Sequence, residues 1–300
     1  MNTTNDFFKF ARDRHRIYLK RKDGVPRPWT TDPILNGYKF TNVYRELDKT
    51  TQWFKFNVRD PLWASPEVML ATVLFRWFNR IPSGEAMFRQ LSTNSCTAFE
   101  NFERTGETGY LRTALRSYCG DGPYFTGAYM IRSPTGINKL DGMLSMVRKF
   151  WESDWKTKAE SLLACDGQFP LEELWKWLKE FECQGPFHAY EVITDLRHTK
   201  LLYRAPDIMT WANPGPGARR GVGRFNGLGR YEAKSGRMKQ LGCDRQECLD
   251  VMRHLLKESQ GRWPKEWPAW EMREVEHTLC EWDKYERMKN GQGKMKGRYP

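Results

Sequence analysis

The strongest constraint on the fold is a run of residues that is apolar almost all the way round a helix. Residues 65–78 open with Ser65, Pro66 and Glu67, a combination typical of a helix N-terminus, and continue as VMLATVLFRWF. A surface helix shows a single apolar stripe, whereas a helix that is apolar on every side has to be buried. We therefore expect a central helix that other helices surround.

Three further segments place apolar residues three and four apart, which is the period of an amphipathic helix. These segments are residues 170–181, 244–258 and 267–288. A strand requires strict alternation, and only Tyr124–Arg132 suggests an extended or hairpin excursion. The prediction is an all-α fold, with a small β-hairpin as the one departure.

The chain length allows one large domain or two closely associated lobes. Its 300 residues are about twice the usual size of one domain. We predict a single helical domain over residues 1–283, with two lobes divided near residue 165. A basic C-terminal tail follows over residues 284–300. It suits an arm that touches phosphates, and a solvated basic tail explains it equally well.

Charge and cysteine content restrict the partners. Lys and Arg number 49 against 37 Asp and Glu, and the net charge of +12 favours a polyanionic partner such as nucleic acid. The seven cysteines show neither a CxxC pair nor zinc-finger spacing, so we predict reduced thiols and no metal site. The sequence offers no signal peptide and no apolar run of about 20 residues, so we expect a cytoplasmic protein without a membrane partner.

A turn rich in proline and glycine, residues 213–217, leads into a basic segment. Such a turn ahead of a helix exposes backbone N–H groups that can hold a phosphate, and an ordinary turn is the alternative. The chain contains no GxxxxGK[ST] sequence and therefore no P-loop kinase signature. The phosphate-binding candidates are Gly215, Gly217, Arg219 and Arg220.

Acidic side chains stand out in the segment 190–198. Glu191 and Asp195 lie four apart and would share one face of a helix, where like charges repel unless a cation or a substrate compensates them. Asp195 is therefore a candidate general base. An exposed acidic face neutralised by Arg197 or Lys200 is the alternative.

A second cluster falls at three- and four-residue spacings near the C-terminus. One helix stripe would carry an acid, an imidazole, a thiol and an ammonium. The thiol has the weakest claim, because a buried cysteine most often acts as a small hydrophobic residue. The residues are Glu276, His277, Cys280, Glu281 and Lys284.

Aromatic residues beside basic ones can stack on unpaired bases. We expect partly exposed rings next to proline-rich turns, and Trp211 is our candidate for base binding. The other tryptophans in such positions are Trp29, Trp263, Trp267 and Trp270.

Several motifs in order resemble a phage family. Residues 28–35 (PWTTDPIL) and 38–48 (YKFTNVYRELD) are similar to the helical domain of 5-hydroxymethyluracil DNA kinases and to alpha-glutamyl/putrescinyl thymine pyrophosphorylases. The resemblance extends over most of the chain through residues 185–187, 190–198, 214–221 and 276–281.

This resemblance implies a helix-hairpin-helix fold like that of DNA glycosylases, which grips duplex phosphates and flips out a base. Residues 215–217 would be the hairpin. The catalytic aspartate of glycosylases has no clear equivalent, and Asp244 is its nearest candidate.

The implied pathway modifies thymine in two steps. A kinase makes 5-pyrophosphoryloxymethyluracil in DNA, and a transferase then displaces pyrophosphate with an amine. The absent P-loop assigns this chain to the second step. The implied partners are double-stranded DNA containing the modified thymine, a free amino acid such as glycine or a polyamine, and the kinase as pathway partner. No cofactor is assigned, apart from a Mg²⁺ ion that the pyrophosphate group would bring.

That reaction gives the candidates their roles. Arg219, Arg220 or Lys284 would neutralise pyrophosphate. Asp195, Glu276 or His277 would take the proton of the amine. Asn42 would read a uracil edge, with Arg45 and Asp48 beside it or paired with each other, and Cys280 would add to the ring. A glycosylase that excises a modified base, and a non-enzymatic DNA-binding partner of a modifying enzyme, are the alternatives.

Overall fold

The computed structural model describes residues 3–90, 95–128, 130–227, 244–292, 295 and 297–299. Those residues form helices and no named strand, which confirms the all-α prediction. The expected β-hairpin at 124–132 is not formed by the described residues of that stretch. The helices are α1 (Thr3–Lys22), α2 (Pro33–Gly37), α3 (Lys49–Phe54), α4 (Glu67–Phe78), α5 (Ile81–Phe88), α6 (Ala98–Thr105), α7 (Gly109–Cys119), α8 (Lys139–Trp151), α9 (Trp155–Ala164), α10 (Leu171–Leu178), α11 (Gly185–Leu196), α12 (Pro216–Phe225), α13 (Arg245–Arg262) and α14 (Met272–Lys289).

The chain forms two compact units, and one of them is built from two distant parts of the sequence. Unit 1 comprises Met1–Asp48 and Ile208–Pro300, and unit 2 comprises Lys49–Asp207. The division therefore falls at residues 48 and 207, whereas the sequence suggested one near 165. Residues 284–289 of the expected tail belong to α14, and residues 293, 294, 296 and 300 lie outside the described part.

Unit 2 is organised around the apolar run. Every residue of α4 from Val68 to Phe78 is buried, as its composition predicts. The helix contacts α8, α9 and α11. It ends at Asn79, which adopts the left-handed conformation that asparagine tolerates at a helix C-terminus.

Unit 1 packs α14 against α1, α2, α12 and α13. The buried face of α1 contributes Phe7 and Phe10, whose rings meet Trp282 of α14 at centroid distances of 6.0 and 5.5 Å. Edge-to-face contacts of this kind stabilise a core beyond the apolar area they bury. One end of the chain is thus fixed against α14.

Glycine allows α12 to approach α14 closely. A Cβ atom on Gly217 would overlap the Cys280 sulfur and lie 3.3 Å from the Cys280 Cβ. Gly217, a phosphate-binding candidate, therefore has a packing role that the sequence analysis did not anticipate.

The proline-glycine turn begins α12, as predicted, with Gly215 as the extended N-cap residue. Residues 200–215 form turns and extended backbone, so no helix directly precedes the turn. The helix-hairpin-helix arrangement around Gly215–Gly217 stays a prediction. Within the described residues, no helix combines the length and apolar character that crossing a membrane requires.

Candidate active site on helix α14

One face of α14 carries the mixed side chains that the sequence predicts there. Glu276, His277 and Glu281 are buried, with 8%, 7% and 2% of their surface exposed. Cys280 and Lys284 are partly buried. The helix starts five residues later than the pattern suggested, because the Glu271 side chain caps its first turn and Glu274 caps Glu271 in return.

His277 is held in its neutral form. Its Nε2 atom lies 2.8 Å from the Thr41 hydroxyl oxygen. Burial lowers the pKa of His277 well below 6.5, and the positive charges of Arg273 and Arg14 lower it further. A neutral imidazole carries one N–H group and one lone pair, and the Thr41 hydroxyl contacts the ring at Nε2.

Lys284 supplies a stable positive charge on the same face. It forms an ion pair with Glu281, whose carboxylate also accepts a hydrogen bond from the Thr41 amide at 3.4 Å. Burial lowers the pKa of Lys284, but the Glu281 carboxylate outweighs that effect and the net shift is upward. Lys284 is therefore an ammonium that can stabilise an anion and not a proton acceptor.

Cys280 is poorly suited to nucleophilic attack. Burial raises the pKa of its thiol to about 12, and the carboxylates of Glu281 and Glu276 contribute. The thiolate is the nucleophilic form, and almost none of it exists near neutral pH at such a pKa. With its sulfur facing Gly217, Cys280 has the surroundings of a packing residue.

Arg14 is a site residue that the sequence analysis missed. It is 3% exposed, and its Nη2 donates a hydrogen bond to the Asn42 carbonyl at 3.0 Å. Its charge acts on Glu281 and Asp48. Within the described residues, its Nε and Nη1 atoms have no hydrogen-bond partner. The sequence contained a signal for its burial, because Arg14 lies in the same helical stripe of α1 as the apolar residues Phe7, Phe10 and Ile17.

The side chains of Asn42 and Asp48 are joined by a hydrogen bond. The Asn42 side-chain amide donates to the Leu47 carbonyl at 2.9 Å and to Asp48 Oδ1 at 3.0 Å, which uses both of its N–H groups. Burial raises the pKa of Asp48, and the Arg45 charge opposes that rise. The Asn42 amide oxygen takes no part in these two hydrogen bonds, and its reading of a base edge stays a prediction.

The two arginines of the phosphate-binding hypothesis make intramolecular contacts. Arg219 Nε donates to the Pro214 carbonyl at 3.2 Å. Arg220 and Arg224 pair with the fully buried Asp283 at 2.8 and 2.7 Å. Arg220 thus stabilises the α12–α14 contact. Its side chain is partly exposed, so it would have to bind pyrophosphate while it remains paired with Asp283.

Asp195 forms a buried ion pair within unit 2. It belongs to unit 2, whereas Glu276, His277 and Lys284 belong to unit 1. Its carboxylate is bound at both oxygens by the Arg76 guanidinium, with 2.7 Å between Arg76 Nη2 and Asp195 Oδ1. The compensating cation comes from the apolar run. The alternative interpretation, an exposed acidic face neutralised by Arg197 or Lys200, does not describe Asp195, because its carboxylate is buried and its partner is Arg76.

The expectation of partly exposed rings was wrong for three tryptophans. Trp211, Trp263 and Trp270 are 4%, 6% and 2% exposed. Trp211 packs beneath the guanidinium of Arg245, 5.9 Å from its ring. Trp29 and Trp267 are only partly buried, so they retain accessible surface.

No group of three or more His, Cys, Asp or Glu side chains within the described ranges is placed to hold a metal ion.

Comparison with known proteins identifies the family. A family profile described as "5-hmdU DNA kinase, helical domain" matches residues 1–295. The chain belongs to this family.

A curated relative, the 5-hmdU DNA kinase of Bacillus phage SP10, is 27% identical over 228 residues. The match covers 70% of this chain and 34% of the relative, so the chain spans about a third of the kinase length. No solved structure matches the chain.

Two of the motifs that resemble the family contact each other in unit 1. The resemblance depended partly on residues 38–48 and 276–281, which are more than 200 positions apart in the sequence. The structure joins these segments through the contacts of Thr41 with His277 and Glu281. The two motifs therefore lie side by side in unit 1.

Proposed function

We propose that this chain is a DNA base hypermodification enzyme. It displaces pyrophosphate from 5-pyrophosphoryloxymethyluracil in DNA with an amine, either an amino acid such as glycine or a polyamine. Family membership supports the substrate class, because the curated relative is a kinase for 5-hmdU in DNA. The observation that carries the proposal is a neutral imidazole and an ammonium on one face of α14, at His277 and Lys284.

The reaction breaks the bond between the exocyclic carbon of the base and the pyrophosphate oxygen. A bond from that carbon to the amine nitrogen replaces it, and the pyrophosphate leaves with the electron pair. The attacking amine has to be unprotonated before attack or lose a proton during it. A proton acceptor and a stable cation are thus the two groups that the protein must supply.

His277 is our proton acceptor. It is neutral before substrate binds, so one ring nitrogen carries a lone pair that can take a proton, and the Thr41 hydroxyl contacts Nε2. Its low pKa makes it a weak base in the free protein, and the negative charge of a bound pyrophosphate group would raise that pKa toward neutrality. Glu276 is the alternative acceptor, because its Oε1 atom lies 3.8 Å from the position of a Cβ on Gly215 at the start of α12.

The leaving group requires positive charge. Lys284 is an ammonium, and the N-terminus of α12, which lies beside Glu276 and Cys280, favours an anion through the helix dipole. Arg219 and Arg220 follow in the next turn, and a Mg²⁺ ion brought by the pyrophosphate would share the charge. Preorganised donors of this kind lower the barrier because they stabilise charge that develops during the reaction.

A second candidate function is a non-enzymatic DNA-binding subunit that presents the base to a kinase. The chain matches about a third of the SP10 kinase and lacks a P-loop, which favours a DNA-handling role. Tight, salt-sensitive DNA binding without any chemical change in the base would support this function.

The test is mass spectrometry of nucleosides from hydroxymethyluracil DNA. The DNA is treated with a 5-hydroxymethyluracil DNA kinase and ATP, and then with this protein and a mixture of amino acids and polyamines. We expect a nucleoside heavier by one amine, with pyrophosphate released. Unchanged nucleosides would overturn the transferase, and abasic sites would indicate a glycosylase.

Variants assign the roles within that assay. His277→Gln removes the proton acceptor and should reduce product formation by about 100-fold or more. His254→Gln changes an exposed histidine of α13 and should leave activity unaltered. Equal activity of the two variants would exclude His277 as the base.

A further inference from the structure

Unit 1 contains a cavity of about 350 Å³ away from the α14 face. It lies between the last turns of α13 and the segment 263–270 that follows. Indole rings dominate its lining, from Trp263, Trp267 and Trp270. The cavity is open toward solvent, so a ligand can enter it.

Two of the three indoles are fixed by the fold. Trp263 donates from Nε1 to the Tyr44 hydroxyl at 2.8 Å and to the Pro268 carbonyl at 3.1 Å. Trp270 lies 4.8 Å from Trp263 and 5.4 Å from Phe8, measured between ring centroids. The aromatic wall is therefore formed before any ligand enters.

Trp267 is the accessible member of the wall. It is only partly buried, and its ring lies 5.0 Å from Trp263 at an interplanar angle of 61°. A planar ligand on one indole face would thus meet the edge of another. Aromatic rings favour these stacked and edge-to-face contacts.

The mouth of the cavity is polar and carries positive charge. Lys265 and Gln260 line it, and both are exposed. Beside the lining, the Arg16 guanidinium lies 6.0 Å from the Trp267 ring; its side chain is 55% exposed and pairs with Asp13 at 3.2 Å. Glu266 is exposed beside Trp267, while Glu258 is paired with Arg262. Cations around an aromatic cavity suit a ligand that joins a flat ring to a phosphate.

We propose that this cavity binds one unpaired nucleobase of the DNA, which stacks on Trp267 while Arg16 and Lys265 contact the flanking phosphates. The inference rests on the proposed function only in that the substrate is DNA. A volume of about 350 Å³ lies at the small end of ligand pockets, which suits a single base. The stacking is tolerant of base identity because every base has a π-face.

The experiment measures binding to single strands of about ten nucleotides, a length within the range that single-strand binding domains cover, so that the central base has phosphates on both sides. One strand carries 2-aminopurine at its centre, a second carries thymine there, and a third carries an abasic position. We expect the 2-aminopurine fluorescence to be quenched on binding, and the abasic strand to bind about fivefold to a hundredfold more weakly than the thymine strand.

Two variants locate the effect. Trp267→Ala removes the stacking surface, and Ala269→Leu fills the cavity without removing an indole. Both should abolish the difference between the base-bearing and abasic strands. Trp63→Ala is the matched control, because Trp63 is an indole of unit 2 that is 40% exposed.

Equal binding of thymine and abasic strands by the wild-type protein would overturn the proposal. So would unchanged discrimination in a folded Ala269→Leu variant, or discrimination that disappears in Trp63→Ala as well. The assay contains neither kinase nor amine, so its result is independent of the transferase test. A chain that stacks the base but modifies nothing would keep this site and lose the proposed reaction.

Discussion

The Arg76 guanidinium binds both carboxylate oxygens of Asp195 inside unit 2, where the two side chains are 1% and 2% exposed. Removing one partner of a buried pair leaves an uncompensated charge. We expect Asp195→Ala to lower the free energy of unfolding by about 3–5 kcal/mol, measured by chemical denaturation. Glu182→Ala, which breaks the exposed pair with Lys149, should change it by less than about 1 kcal/mol. An Asp195→Ala protein of full stability and no activity would restore the catalytic hypothesis.

The α12–α14 contact makes its own prediction. A Cβ atom on Gly221 would overlap the carbonyl oxygen of Leu279 and lie 2.7 Å from its carbonyl carbon. Backbone cannot move aside as a flexible side chain can, so Gly221→Ala should destabilise the protein by about 1–3 kcal/mol.

The control lies two residues along α12. A Cβ on Gly223 would meet nothing within 4 Å. Gly223→Ala should therefore be neutral or stabilise the helix by up to about 1 kcal/mol. Thermal unfolding of both variants compares them, and equal melting temperatures would contradict the packing argument.

The reactivity of Cys280 tests its protonation state. Its pKa of about 12 predicts slow alkylation by iodoacetamide, because the thiolate is the reacting form. Peptide mass spectrometry at about pH 8 should show Cys96 and Cys165, which are exposed, modified well before Cys280. Cys280→Ala should retain nucleoside modification in the amine transfer assay. Loss of that activity in a stable Cys280→Ala protein would support the hypothesis that the Cys280 thiol adds to the ring.

Buried histidines predict how stability depends on pH. Burial lowers the pKa of His188 to about 4, so between pH 4 and 6.5 the unfolded chain holds a proton on this residue that the folded chain lacks. Its stabilising contribution is present above pH 6.5 and is lost as the pH falls toward 4. The slope should be about 1.4 kcal/mol per pH unit for this residue.

Denaturant unfolding between pH 7 and 4.5 measures that slope, because this range lies above the folded-state pKa of His188, about 4, and includes the ordinary value of 6.5. His188→Gln should reduce it, whatever its effect on stability at neutral pH. His254→Gln, at an exposed position, provides the comparison. A slope that His188→Gln leaves unchanged would mean that His188 is protonated in the folded protein.

Local signals in the sequence predicted most of the helices. The apolar run became α4, and Asp244 with Glu247 forms a capping box at the start of α13. The unit boundaries at residues 48 and 207 were not predicted, because neither coincides with a linker or a change in composition. They follow from contacts between distant segments, which periodicity does not encode.

The site shows the same limit. The α14 stripe was predictable because all of its members lie on one helix and follow its period. The arginine partner of Asp195 was not, since Arg76 is 119 positions away. The packing role of Gly217 likewise depends on the Cys280 side chain of another helix. Arg14 could have been found, because its place in an apolar stripe marked it as buried.

Unit 1 needs residues from both sides of unit 2 before it can form. During synthesis, unit 2 can fold as one continuous stretch as soon as it leaves the ribosome. The phenylalanine stripe of α1 is buried in the folded protein, but it stays exposed until α14, which packs against it, has been synthesised. Such long-range closure slows folding, and over that interval α1 is a surface on which a chaperone would act. The contacts between residues 38–48 and α14 therefore form last, and a chain interrupted before α14 would lack the candidate site altogether.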